Sequence, residues 1–201
     1  ICQLVERGML AFDTPLRECV DVAFANYDPD ITIHHLLTHS SGIPSYFDEE
    51  NDDDYEALWQ TLPMYRVRRP GDFLPLFPDE PMKFPPGTQF EYNDGGFILL
   101  GLVIESVTGI EFADYVQQSI FERAGMEDSG YFATDQLPAR TAYAYIQNPD
   151  GSWRTNFFAV PVVGAPDGGA YTTAPDLTRF WRSMWRNELL ARDMRDTLLK
   201  P

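Results

Sequence analysis

The chain is poor in lysine. Only Lys83 and Lys200 occur among its 201 residues, so chemistry that needs an amine as base has two candidates. Cysteine is equally scarce. Cys2 and Cys19 make neither a disulfide framework nor a metal-ligand spacing. Cys2 lies on an apolar helical face and reads as a small buried hydrophobe, and the compartment stays open. Positive charge is also lacking. Fifteen Lys and Arg stand against 31 Asp and Glu, a formal net charge of -16, which argues against nucleic acid or an anionic membrane as a partner. An acidic coat that keeps the protein in solution accounts for it. No long apolar run is present: Gly95 to Val107 is broken by Glu105 and too short to span a bilayer. No signal-peptide pattern is visible. The chain opens in mid-helix, so a leader removed before Ile1 stays open.

What is present belongs to a globular chain: 44% apolar and 14% aromatic residues suffice for one sizeable core or most of a larger domain. Ile1, Leu4, Val5 and Met9 recur at helical spacing up to Gly8, as the back half of a helix. Thr32 is a candidate cap for a helix carrying Ile33, Leu36 and Leu37, ending at Ser40-Ser41-Gly42 with Pro44 beyond. Asp48 to Asp54 is an acidic loop without the glycine and glutamate of an EF-hand. Tyr55 to Leu62 reads as a short helix and Pro63 to Pro86 as a proline-rich excursion. Gly95 to Thr108 is apolar nearly all round and therefore central, ending at Gly109. Glu111 to Ala124 is amphipathic. Asn148-Pro149-Asp150-Gly151 between Ala142–Ile146 and Trp153–Phe158 signals a hairpin. Asp176 to Leu190 is a helix behind Pro175, with Leu177, Phe180, Trp181 and Met184 expected inward.

Three blocks, ITIHHLLTHSSGIP, FPPGTQFEYNDGGFILLGLVIESVTG and GGAYTTAPDLTRF, together resemble the serine β-lactamase and penicillin-binding-protein-like family, close to its class C branch. They fall in the family's order across residues 31 to 180, and ICQLVERGMLAFDTPL resembles the stretch after the nucleophile helix. The fold this implies is α/β (α+β), β-lactamase/transpeptidase-like. Residues 1–201 would form a partial domain, mainly its helical region plus a hairpin, with outer sheet strands missing at both ends.

The resemblance also implies a chemistry. A serine on S-x-x-K attacks an amide or ester carbonyl, because a hydroxyl is a weak nucleophile until a neighbouring base accepts its proton. A Y-x-N tyrosine shares the proton traffic and a K-T-G or H-x-G strand walls the site. Tyr92 matches the tyrosine. Asp94 stands at the third motif position, where asparagine is commoner in β-lactamases; an ionised aspartate only accepts hydrogen bonds. That departure weakens the case for β-lactams and leaves esterases, amidases and D-amino-acid peptidases open, so the implied hydrolase is of β-lactamase, D-amino-acid peptidase or esterase type. As a plain structural residue, Asp94 would cap the following helix. Tyr46 and Gly169 match positions facing substrate, against readings as a surface loop aromatic and a structural turn with Gly168.

None of the eight serines has a lysine three residues on, and neither lysine begins K-T-G. By the resemblance, the nucleophile lies roughly ten residues upstream of Ile1 and the wall strand beyond Pro201. The isolated chain is expected to be inactive, with exposed apolar surface covered by the absent segments or by a second copy. No cofactor is implied, and the substrate is a small molecule or peptide. A non-catalytic binding or regulatory module on the same fold is the alternative. His35 and His39 have metal-ligand spacing, but Leu36 replaces the glutamate of H-E-x-x-H, and both read as structural.

Overall fold

The computed structural model describes residues 1–21, 26–47 and 54–200; most of the acidic stretch predicted as a loop, residues 48–53, lies outside them. Helix α5 (Asp94–Thr108) is the axis of the molecule. Ile98, Leu99, Leu100, Val103 and Ile104 on it are buried, each contributing about 1.5–3 kcal/mol relative to exposure. Around it pack α2 (Leu16–Cys19) and α3 (Ile33–Leu37), which bring Leu16, Cys19, Ile31, Ile33 and Leu36 to one cluster with Leu99 and Val103. On the opposite side, Tyr46, Val67 and Phe73 gather about Ile98. The predicted short helix supplies part of that wall as α4 (Leu58–Thr61), and the proline-rich excursion the rest through two 3₁₀ turns, Met64–Arg66 and Pro70–Leu76.

α1 (Cys2–Glu6) is tied across the chain by Gln3. Its buried amide donates to the carbonyls of Ser119 and Leu189 and accepts from the Tyr115 hydroxyl. The predicted helix from Glu111 to Ala124 forms as α6 (Phe112–Val116), a π turn over Gln117–Phe121, and α7 (Glu122–Ala124). The hairpin also forms, with strands shorter than expected: β1 (Tyr145–Gln147) pairs antiparallel with β2 (Trp153–Thr155), Ile146 opposite Arg154. Gly151 at φ +83° closes its turn, a conformation that favours glycine.

The last predicted helix differs most from expectation. It ends early: α8 (Ala174–Trp185) stops before Asn187, which has a positive φ, and a separate helix, α9 (Arg192–Leu198), follows beyond the predicted range. Met184 points inward, but Leu177, Trp181 and Trp185 are exposed. They recur every four residues and so line one face. Periodicity identified an apolar face but not what covers it. Among the described residues, no single helix is long and apolar enough to cross a membrane; α5 joined to Phe112–Ala124 passes by length and composition only, across a 79° bend.

Candidate active site

The segment before α5 is fixed by Asn93. Its backbone is extended, its Oδ1 accepts the Gly96 N–H at 2.9 Å, and its Nδ2 donates to the Ile43 carbonyl at 2.7 Å. Asn93 is therefore the N-cap, and Asp94, expected to fill that role from its residue type, is the first helical residue. The Asn93 amide caps through its oxygen and ties the helix start to Ile43 through its nitrogen, a second bond that a carboxylate could not donate. Asp94 sits instead where the amino-terminal end of the helix dipole favours a carboxylate.

Tyr92, one residue before the cap, keeps about half its surface exposed (53%). It opens onto a cleft of about 500 Å³ whose walls include Tyr46, Tyr92, Asp94 and Gly169. The four residues singled out from sequence thus line one space. Tyr46 differs from a surface loop aromatic: it is buried, with its ring edge against Phe73 at 5.5 Å, because the chain turns inward after Pro44 to fill the space beside Ile98.

Sequence reasoning missed Asp167. Its carboxylate accepts the Tyr46 hydroxyl. Burial, reinforced by the Asp94 charge, pushes Asp167 up to about 6 despite that hydrogen bond. Burial and the Asp167 charge likewise push the Tyr46 phenol well above its usual range. The only signal in the sequence was an acid inside Ala165-Pro166-Asp167-Gly168, which reads as a turn. It is one: Ala165 and Gly168 exchange both backbone hydrogen bonds, at 2.8 and 2.9 Å. The turn rests on α5 at Gly101, where a Cβ would overlap Pro166 and press on Pro70. Gly169 at φ +92° lies against the Gly164 backbone, and the rim continues to Tyr171, joined to Gly130 by two backbone bonds.

The two histidines with metal-ligand spacing serve the backbone. His35 completes a capping box with Thr32: its Nδ1 accepts the Thr32 N–H, and its own N–H donates to the Thr32 hydroxyl. His39 accepts the Asn93 N–H at Nδ1. Among the described residues no group of three or more His, Cys, Asp or Glu side chains is arranged to hold a metal ion.

The sequence profile of the family described as Beta-lactamase matches residues 1–201. Penicillin-binding protein 4* of Bacillus subtilis (strain 168) is 25% identical over 100% of this chain and 45% of its own length. Esterase EstB of Burkholderia gladioli is 31% identical over 89% of the chain and 52% of its own. The chain spans about half the length of these curated relatives. Among solved structures, the penicillin binding protein from Bacillus halodurans is 57% identical with a TM-score of 0.95, over 100% of this chain and 60% of that one. The architecture is accordingly a helix-rich part of the α/β β-lactamase/transpeptidase fold, and the chain belongs to the Beta-lactamase family.

Proposed function

We propose that residues 1–201 are the central part of a Ser-Lys-Tyr hydrolase that cleaves an amide or ester through an acyl-enzyme. The observation that carries this reading is the half-exposed Tyr92 at the mouth of the cleft, with Asp94 at the start of α5 beside it. Relatives named as penicillin-binding proteins and as an esterase support the reaction class.

In this reading a serine and lysine, on a segment outside these 201 residues, face Tyr92 across the cleft. The serine oxygen bonds to the substrate carbonyl carbon as its proton passes towards the lysine and Tyr92. The proton then reaches the departing amine or alcohol, and water releases the acyl group by the same route reversed. Asp94 accepts a hydrogen bond from the lysine ammonium and offers none to a substrate carbonyl. Esters, amides and D-amino-acid peptides therefore suit the site better than β-lactams. Aromatic side chains such as Tyr46, Phe47 and Phe132 give the cleft an apolar wall for the acyl or peptide portion.

The test uses the full-length gene product. It should hydrolyse p-nitrophenyl esters or D-alanine p-nitroanilide and trap an acyl adduct on a serine outside residues 1–201. Tyr92→Phe should lower kcat by about 10²–10⁴-fold, and the 201-residue chain alone should be inactive. Turnover by the isolated chain, or full activity in Tyr92→Phe, refutes the reading.

A further inference from the structure

We propose that His39 is a positioning residue for Tyr92, holding the backbone on both sides of the phenol through its carbonyl and its imidazole. The inference rests on Tyr92 acting as proposed above.

His39 follows α3 in a left-handed conformation, φ +52°. The Ser40 N–H bonds to the His35 carbonyl at 2.8 Å and the His39 N–H to the Leu36 carbonyl at 3.3 Å. This is the paired-bond helix end usually built on glycine. Histidine tolerates the left-handed region better than most residues, but glycine would occupy it at less cost. The side chain must therefore repay the difference.

One side-chain hydrogen bond and two ring contacts do so, beside a bond to the backbone carbonyl that any residue here would make. The His39 carbonyl accepts the Glu91 N–H at 2.9 Å, and its Nδ1 accepts the Asn93 N–H at 3.1 Å. Tyr92 is the residue between these two anchors. The imidazole also lies against the Tyr92 ring, centroids 4.7 Å apart, and stacks on Phe97 of α5 at 5.1 Å. One residue thus fixes the extended backbone before and after the phenol and one face of its ring. Accepting at Nδ1 requires the neutral ring with its proton on Nε2. Burial favours that form by holding the imidazole below its usual value, against the pull of the Asp94 charge.

The consequence differs from ordinary stabilisation. A misplaced catalytic group lowers turnover more than substrate affinity. Three variants of the full-length enzyme separate the contributions. His39→Gly keeps the left-handed backbone but removes acceptor and ring. His39→Asn keeps an acceptor near the Nδ1 position and tolerates the same backbone. Tyr92→Phe gauges what the phenol itself is worth.

His39→Gly should lose about 10- to 100-fold in kcat with KM within about twofold, and His39→Asn should recover part of that loss at unchanged KM. Wild-type kcat in His39→Gly, alongside an inactive Tyr92→Phe, overturns the positioning role and leaves the function intact. Full activity in Tyr92→Phe instead overturns the function on which the role depends. Should His39→Gly not fold, His39→Asn is compared with His39→Ala: a higher kcat in the asparagine variant at equal KM supports the proposal, and equal kcat values in the two overturn it.

Discussion

Helices α5 and α8 begin alike and end up in different surroundings. Each is capped by a polar side chain, Asn93 through its amide and Thr173 through its hydroxyl. Along α5 nearly every face meets other parts of the chain: α2 and α3 on one side, Pro70 and Pro166 at Gly101 on another. Along α8 one face is packed, through Met184 and Ser183, while Leu177, Trp181 and Trp185 stand exposed. The Arg195 guanidinium, 4.9 Å from the Trp185 ring centroid, covers part of that face. The surroundings of α5 are closed by the described residues, whereas α8 leaves this stripe exposed.

The largest effect expected from that contrast is at Gly101. Gly101→Leu should destabilise the full-length protein by about 3 kcal/mol in urea denaturation, because the added side chain collides with two prolines rather than with flexible groups. A loss below about 1 kcal/mol would mean that α5 is less tightly enclosed than described.

The next effect distinguishes the two helix starts by pH. Asp176, fully buried in the first turn of α8, accepts bonds from Ser129 Oγ at 2.7 Å, from the Asp128 N–H at 2.9 Å, and from Arg179. Burial opposes its ionisation, but these donors outweigh that and hold the carboxyl below its ordinary 3.8. A depressed folded-state value contributes stability above the unfolded-state value and loses it as pH falls through the folded one. Asp176→Asn should therefore cost about 2 kcal/mol at pH 7, the difference from wild type closing below about pH 4. The Asn93 cap on α5 has no titrating group, so an Asn93→Ala difference should stay level over the same range. A pH-independent Asp176→Asn gap would contradict the ionised hub.

The smallest effect is at the uncovered face. Trp181→Ser in the 201-residue chain should change stability by no more than about 0.5 kcal/mol in urea denaturation, because the ring is half exposed. A cost above about 2 kcal/mol would mean that the stripe is already packed.

The same contrast explains what could be read from sequence. α5 was legible because an apolar segment between a capping residue and Gly109 has one stable environment, the core. The β1–β2 hairpin was legible because Asn-Pro-Asp-Gly encodes its turn locally. The exposure of Leu177 and Trp181 was not, since periodicity identifies an apolar face and is silent about its partner. Nor was Asp167, whose importance lies in contact with Tyr46, 121 residues away. Tyr92 and Asp94 were recognisable from their motif, yet Asn93 and Asp94 are equally good caps by residue type, and the bond from Asn93 to the distant Ile43 was not legible.

Gly101 also decides how the cleft can be altered. With no side chain between α5 and the turn at Pro166, the rim bearing Asp167 and Gly168 is seated directly on the buried central helix. Engineering a wider or narrower opening from that side would mean moving the central helix. Phe132, packed on Gly130 and Tyr171, belongs to the same wall. Changes of cleft shape that leave Gly101 and Pro166 in place are therefore the ones expected to spare the core.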